Sequence, residues 1–212
     1  MRAKLLLLIP LLAMSIGAVA QKKPKEKKLK GNFVIILPIV NAMEKAGEQV
    51  QIQLLYGRAG LLKAFDERKF DIVSPVEVNA TLESEKIDAK DTANWTPENL
   101  DKLATAWSAK YVAGVVLQSV ATAKDPAPTG KAPQTYSVTV GLSSWLYDVK
   151  EHKFLMQDVK STWTKQIKQP RDGAIDEKQL AYTGVEGATE VAFKDFLQRF
   201  KKSTPAENKP IS

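Results

Sequence analysis

Residues 136–167 constrain the fold more than any other stretch. They read Tyr-Ser-Val-Thr-Val-Gly-Leu-Ser-Ser-Trp-Leu-Tyr-Asp-Val, then Lys-Glu-His-Lys, then Phe-Leu-Met-Gln-Asp-Val-Lys-Ser-Thr-Trp-Thr-Lys-Gln-Ile. Two alternating segments around a polar break are the pattern of a long β-hairpin. Successive side chains of a strand point to opposite faces. A turn centred between Glu151 and His152 sets Trp145 opposite Asp158, and Val140 opposite Trp163. One face then carries Val138, Val140, Leu142, Leu146, Leu155, Val159 and Trp163 and belongs to a core. The other is polar far from the turn, with Ser137, Thr139, Ser143, Lys160, Thr162 and Thr164. Close to the turn it is apolar, with Trp145, Tyr147, Val149, Phe154 and Met156. A slip of one residue would exchange the faces, so the apolar pattern itself argues for this register. Without Asn-Gly or Asp-Gly, the turn is expected to be a four-residue loop built on a type I turn.

Trp145, Tyr147, Val149, Phe154 and Met156 are the candidate interaction surface, because contiguous exposed apolar patches mark contact sites. The alternative is that another segment of the same chain covers them.

Location and charge come from the first thirty residues. Met-Arg-Ala-Lys precedes a mostly apolar run over 5–16 and the sequence Gly17-Ala18-Val19-Ala20. A basic start, a short apolar run and an Ala-x-Ala end make a secretory signal segment. Residues 1–20 are assigned to it, with cleavage expected after Ala20; the run is short for a spanning helix, and an uncleaved anchor is the second possibility. The chain is therefore expected to be exported, periplasmic or extracellular. It contains no Cys, which excludes disulfides, thiolate chemistry and a lipidated cysteine. The formal net charge is +7, but Arg2 and Lys4 leave with the signal and residues 21–30 hold six Lys against one Glu. From Gly31 onward the chain is neutral in sum. The basicity belongs to a linker, 21–31, so no nucleic-acid partner is expected, since that would need Lys and Arg spread over a folded face. Such a linker is a solvated spacer or a weak contact for an anionic membrane surface.

Residues 32–202 are enough for one well-formed core. The apolar run 32–40 suits a strand buried on both faces, with Pro38 near its end. Leu54, Leu55, Leu61, Leu62 and Phe65 mark one face of a helix over 49–68, in which Gly57 and Gly60 would permit close packing on the sheet. A short strand over 70–74 ends at Pro75, and a helix follows over 76–87. Thr96-Pro97-Glu98 starts another helix, and 111–120 reads as a central strand. Pro126, Pro128, Gly130 and Pro133 make 124–134 a loop, and Pro170, Asp172 and Gly173 break the chain after the hairpin. Val185, Ala188, Ala192, Phe193, Phe196 and Phe200 stripe a last helix over 185–201. Residues 203–212 form a polar tail expected to be disordered. The order β-α-β-α-α-β-β-β-α gives an α/β (α+β) class. It has one mixed sheet, a long C-terminal hairpin and helices mainly on one face.

Several phrases together resemble a family. Leu37-Pro38-Ile39-Val40-Asn41 is similar to the opening strand of envelope proteins related to the curli secretion protein CsgG. Phe70-Asp71-Ile72-Val73 resembles the strand after their first helix, Ala109-Lys110-Tyr111-Val112-Ala113-Gly114 a later strand entry, and Leu146-Tyr147-Asp148-Val149 their hairpin. The wider group includes the amino-terminal domain of the translocation protein TolB and outer-membrane activators of penicillin-binding proteins. The resemblance implies a periplasmic α/β interaction domain without an active site, whose partner is another envelope protein. This chain departs from the group in lacking a lipoprotein cysteine, and Lys150-Glu151-His152-Lys153 stands where the hairpin turn usually has Gly. It also has no separate membrane-spanning hairpin segments.

Chemistry is sparse. His152 is the single His and falls in the turn, so a triad would have to draw on Asp148 or Glu151, and a charged turn is the simpler reading. Without Cys or a second His no zinc set can form, and no Gly-rich phosphate loop or Gly-x-Ser-x-Gly is present. No cofactor is expected. The first reading is thus a non-catalytic accessory or adaptor domain that binds an envelope protein through the aromatic end of the hairpin or a sheet edge. The alternative is a periplasmic small-molecule or polysaccharide binder or hydrolase, with carboxylates near 124–134 or beside the hairpin.

Overall fold

The computed structural model describes residues 32–43, 47–125, 134–168 and 174–203. The expected signal segment, the basic linker, the loop at 126–133, the break at 169–173 and the tail beyond 203 lie outside these residues.

The apolar run at the start forms β1 (Phe33–Ile36) and β2 (Val40–Asn41) rather than one strand. Pro38, which has no N–H to give to a ladder, sits at the break. Both pieces lie parallel to β4 (Ala109–Lys124). Helix α1 (Glu48–Ala64) leads to β3 (Asp71–Ile72), and β3 pairs in parallel with β1. Helix α2 (Pro75–Ser84) opens with a capping box. Ser74 accepts the Glu77 backbone N–H, and the Glu77 carboxylate accepts the Ser74 N–H. A 3₁₀ turn (Thr92–Asn94) precedes α3 (Pro97–Thr105), where Thr96 caps the Asn99 N–H and Pro97 takes the first position, as the sequence signals. β4 then pairs antiparallel with β5 (Thr135–Asp148), and β5 with β6 (Lys153–Lys168). Helix α4 (Glu177–Ser203) starts eight residues before its apolar stripe suggests. The sheet order is β3-β1-β4-β5-β6, with β2 beside β4.

Alternation along β4 divides the interior in two. Tyr111, Ala113, Val115 and Leu117 face a core under α1 and α4, together with Val34, Ile36, Leu61, Phe65, Val138, Val140, Leu142 and Phe193. Val112 and Val116 face the opposite side, with Ile35, Leu37, Val78, Leu82, Trp95, Leu100 and Leu103. The two long helices thus share one face, and α2, α3 and Trp95 close the other. Gly60 packs on α4 rather than on the sheet, since a Cβ there would collide with the Glu186 carbonyl oxygen.

Candidate functional site

The hairpin positions every residue singled out from the sequence. Its loop spans the four residues between Asp148 and Lys153. The Val149 carbonyl accepts the His152 N–H at 3.4 Å, and the Asp148 carboxylate accepts the N–H groups of Lys150 and Glu151. Far from the turn the register is the expected one, with Val140 opposite Trp163 and Ser144 opposite Val159. Near the turn it is not. Leu146 pairs with Met156 and Tyr147 with Phe154, so β6 carries two extra residues. Asp158 adopts a left-handed φ of 47° at the first of these bulges.

Two assignments are corrected, the first by the bulges and the second by the edge position of β6. Met156 joins the core beneath α4 instead of the aromatic face. Val159 is 44% exposed instead of buried, because β6 is the sheet edge and α4 lies chiefly over β5.

The aromatic cluster is not a free surface. Tyr147 is fully buried and Met156 is 6% exposed, while Trp145, Val149 and Phe154 are half-buried. The covering element is Trp95, which follows the 3₁₀ turn and is itself buried. Its ring stands edge-on to Trp145 at 5.5 Å between centroids, Trp145 meets Phe154 at 5.6 Å, and Phe154 meets Tyr147 at 5.1 Å. The Trp95 indole N–H donates to the Ala89 carbonyl at 3.0 Å, which fixes the lid-like ring over the strands. Trp145, Tyr147, Val149 and Phe154 thus belong to the second core with Trp95, and Met156 to the first; they do not form the contiguous exposed apolar patch that the sequence suggests.

His152 has a partner acid, but neither of those near it in sequence. Its Nδ1 lies 2.9 Å from Asp101 Oδ2 on α3, and the other carboxylate oxygen, Oδ1, accepts the Tyr147 hydroxyl at 2.9 Å. Burial, and then the hydrogen bond to Asp101, push the Tyr147 phenol up to about 12. Asp101 thereby ties the turn, the strand and α3 together. Among the described residues no group of three metal-binding side chains converges.

Two open surfaces flank the hairpin and the entry of the chain. Strand β6 pairs with β5 alone, so one side of its 16-residue backbone is unpaired within the sheet. Beside it, on the face away from α4, lie Ser137, Thr139, Thr162 and Thr164, with the Thr139 and Thr164 hydroxyls 3.1 Å apart. Lys160, Lys165 and Lys168 punctuate the exposed strand, which is how natural edges resist indiscriminate pairing. The second surface is basic and lies where Asn32 enters the domain. It gathers Lys63, Arg68, Lys69, Lys110 and Lys194 around one cleft. Part of that charge is internally matched, by Lys63 with Glu186 and Lys194 with Glu190. Arg68 likewise holds the Asp66 carboxyl down to about 2. Among the described residues no helix is long and apolar enough to cross a membrane.

No protein-family model matches the chain, and no curated protein does. Solved structures show similarity at low identity. Lipoprotein GNA1162 from Neisseria meningitidis is 13% identical over 81% of this chain and 99% of its own, with a TM-score of 0.44. The hypothetical protein CT253 from Chlamydia trachomatis is 15% identical over 80% and 95%, with a TM-score of 0.42. LpoB from E. coli is 11% identical over 78% and 84%, with a TM-score of 0.40. At these identities and scores the likenesses assign no activity or partner to this chain.

Proposed function

We propose that this chain is an exported accessory domain of the cell envelope, non-catalytic, that binds another envelope protein along the free edge of β6. The observation that carries this reading is the 16-residue edge strand, paired on one side only. An extended segment of a partner can add to such an edge through main-chain hydrogen bonds and read alternate side chains. The lysines of β6 favour a partner strand with acidic residues. The signal-like start and the resemblance to periplasmic interaction domains supply the location. The basic linker, joined to the basic end of the domain at Asn32, serves as a weak tether to an anionic membrane surface.

Site-specific photocrosslinking in cells tests this. A crosslinking residue at Thr162 or Thr164 is expected to trap one discrete envelope protein, and the same residue at Lys86, in the turn after α2, is expected to trap none. Equal capture from all three positions, or none from the β6 positions, would remove the edge as the contact.

A further inference from the structure

A second site lies at the carboxyl end of β1 and β2, in a cleft of about 640 Å³. Helix α1 contributes Leu54, Leu55 and Arg58, the link between the strands contributes Pro38 and Ile39, and Lys90 follows α2. The lining residues include two cations and no carboxylate. Leu55 is 67% exposed, one of the few large apolar side chains of the described residues left in solvent.

Arg58 is the unusual member. It is half-buried, and its Nη1 donates a long hydrogen bond to the Ile36 carbonyl at 3.5 Å. Among the described residues no carboxylate forms an ion pair with it. A guanidinium presents five N–H donors in a planar fork suited to a carboxylate. Among the described residues that one weak bond leaves most of the fork available, and burial lowers its affinity for the proton. The other arginine whose side chain is described, Arg68, is clamped by Asp66 through several short contacts. The carboxyl ends of strands are where open α/β sheets receive ligands. A shallower cleft shares Val40, Asn41 and Lys90 with this one and continues toward Trp145 and Lys160, where Asp91 and Asp158 join the lining, so the elongated depression is basic at its Arg58 end and mixed in charge beyond Lys90.

We propose that this groove binds an extended peptide segment of a partner that carries a carboxylate beside an apolar side chain. The carboxylate sits on the Arg58 fork, with Lys90 adding charge, and the apolar side chain packs on Ile39, Leu54 and Leu55. A charge-assisted, two-pronged contact fixes orientation, and the apolar wall supplies contact area. Arg58, Leu54 and Leu55 share their cleft with no residue of β6, and Thr162 and Thr164 line neither cleft, so failure of one reading leaves the other standing.

The test is an NMR titration of the ¹⁵N-labelled exported protein with three probes. They are acetyl-Leu-Leu with a free carboxylate, acetyl-Leu-Glu-Leu-amide, and the neutral acetyl-Leu-Leu-amide. Saturable shifts are expected at the Ile39, Leu54 and Leu55 amides and at the Arg58 Nε–H, with at least one acidic probe. The neutral probe is expected to bind at least about tenfold more weakly, a difference of about 1.4 kcal/mol. Preference for the first probe identifies a chain-terminal carboxylate, and preference for the second a side-chain carboxylate. Arg58→Gln should abolish the discrimination between acidic and neutral probes. Leu55→Ser, at an exposed position, should weaken all three without lowering the melting temperature. Three results would overturn the site. The first is no saturable shift from either acidic probe up to about 10 mM, beyond the range of millimolar recognition. The second is equal response to the neutral probe, and the third is unchanged discrimination in Arg58→Gln. Line broadening that grows with protein concentration and excludes the probes would assign the groove to a second copy of the chain and refute the peptide.

Discussion

The two ends of the β5–β6 hairpin are built from the same kind of alternating sequence and are finished differently. Near the turn, both faces are covered: α4 side chains reach Leu146 and Met156 on one side, and Trp95 closes over Trp145 and Phe154 on the other. Far from the turn, only the α4 side is covered, where Val138 and Val140 are fully buried and Trp163 packs at the margin. The opposite side of that end carries Ser137 and Thr139, half-buried on β5, and Thr162 and Thr164, exposed on β6. The composition of each face decides the outcome. Aromatic side chains left in water would forfeit about 1.5–3 kcal/mol each, so the chain spends a connecting segment to cover them, while hydroxyls lose nothing by staying wet. An apolar patch in the sequence of a hairpin is therefore weak evidence for a partner until the connecting segments have been counted as possible cover.

The largest test of this contrast removes the cover. Trp95→Ala deletes a buried ring and its hydrogen bond to Ala89, and the expected cost is about 3–5 kcal/mol. It should also expose Trp145 and Phe154. Urea denaturation would show a lower midpoint, and binding of an apolar dye to the native state would rise. A loss below about 1 kcal/mol, typical of a surface position, would mean that Trp95 is not the cover.

The next test separates the turn end by pH. Tyr147→Phe removes the hydroxyl that binds Asp101, and the loss at neutral pH should be about 1–2 kcal/mol, given the partly exposed acceptor. The sign with pH follows from the raised phenol. An unfolded tyrosine ionises near pH 10, whereas the folded one holds its proton to about 12. Between these values ionisation favours the unfolded chain. The stabilisation is complete below about pH 10 and is lost as pH rises toward about 12. The wild type should lose stability over that window more steeply than Tyr147→Phe. Parallel pH profiles would sink the account.

The sequence shows the element order, the Thr96 cap and the outer register of the hairpin, because each rests on local chemistry or strict alternation. It does not show the two bulges. Leu155 and Met156 are adjacent apolar residues, so alternation is ambiguous there, and Asp158 gives only a weak sign that it will take a left-handed conformation. The covering role of Trp95 is hidden for a different reason. That residue ends a polar connection, and its contacts with Gly114 and Trp145 cross tens of residues of sequence. The Asp101 link to His152 is equally remote, 51 residues away. Arg58 reads as one cation on a helix, and only the absence of an acid across the packed elements, among the described residues, sets it apart.

The finest comparison uses one glycine at each end. Gly114 on β4 lies under Trp95, and a Cβ there would stand 2.5 Å from the indole ring. Gly184 on α4 faces Val138, and a Cβ there would stand 2.6 Å from a methyl group. The two clashes are similar in size, so overpacking alone predicts about 1–3 kcal/mol for alanine at either position. The backbones differ. Alanine gains about 0.8–1 kcal/mol over glycine in a helix and at least about 0.5 kcal/mol in a strand, so the offset at Gly184 is the larger by at most about 0.5 kcal/mol. Gly114→Ala should therefore destabilise by up to about 0.5 kcal/mol more than Gly184→Ala, readable as the difference between two denaturation midpoints. The reverse order would mean that the Trp95 ring shifts more readily than the α4 packing, and that the cover near the turn is the looser of the two cores.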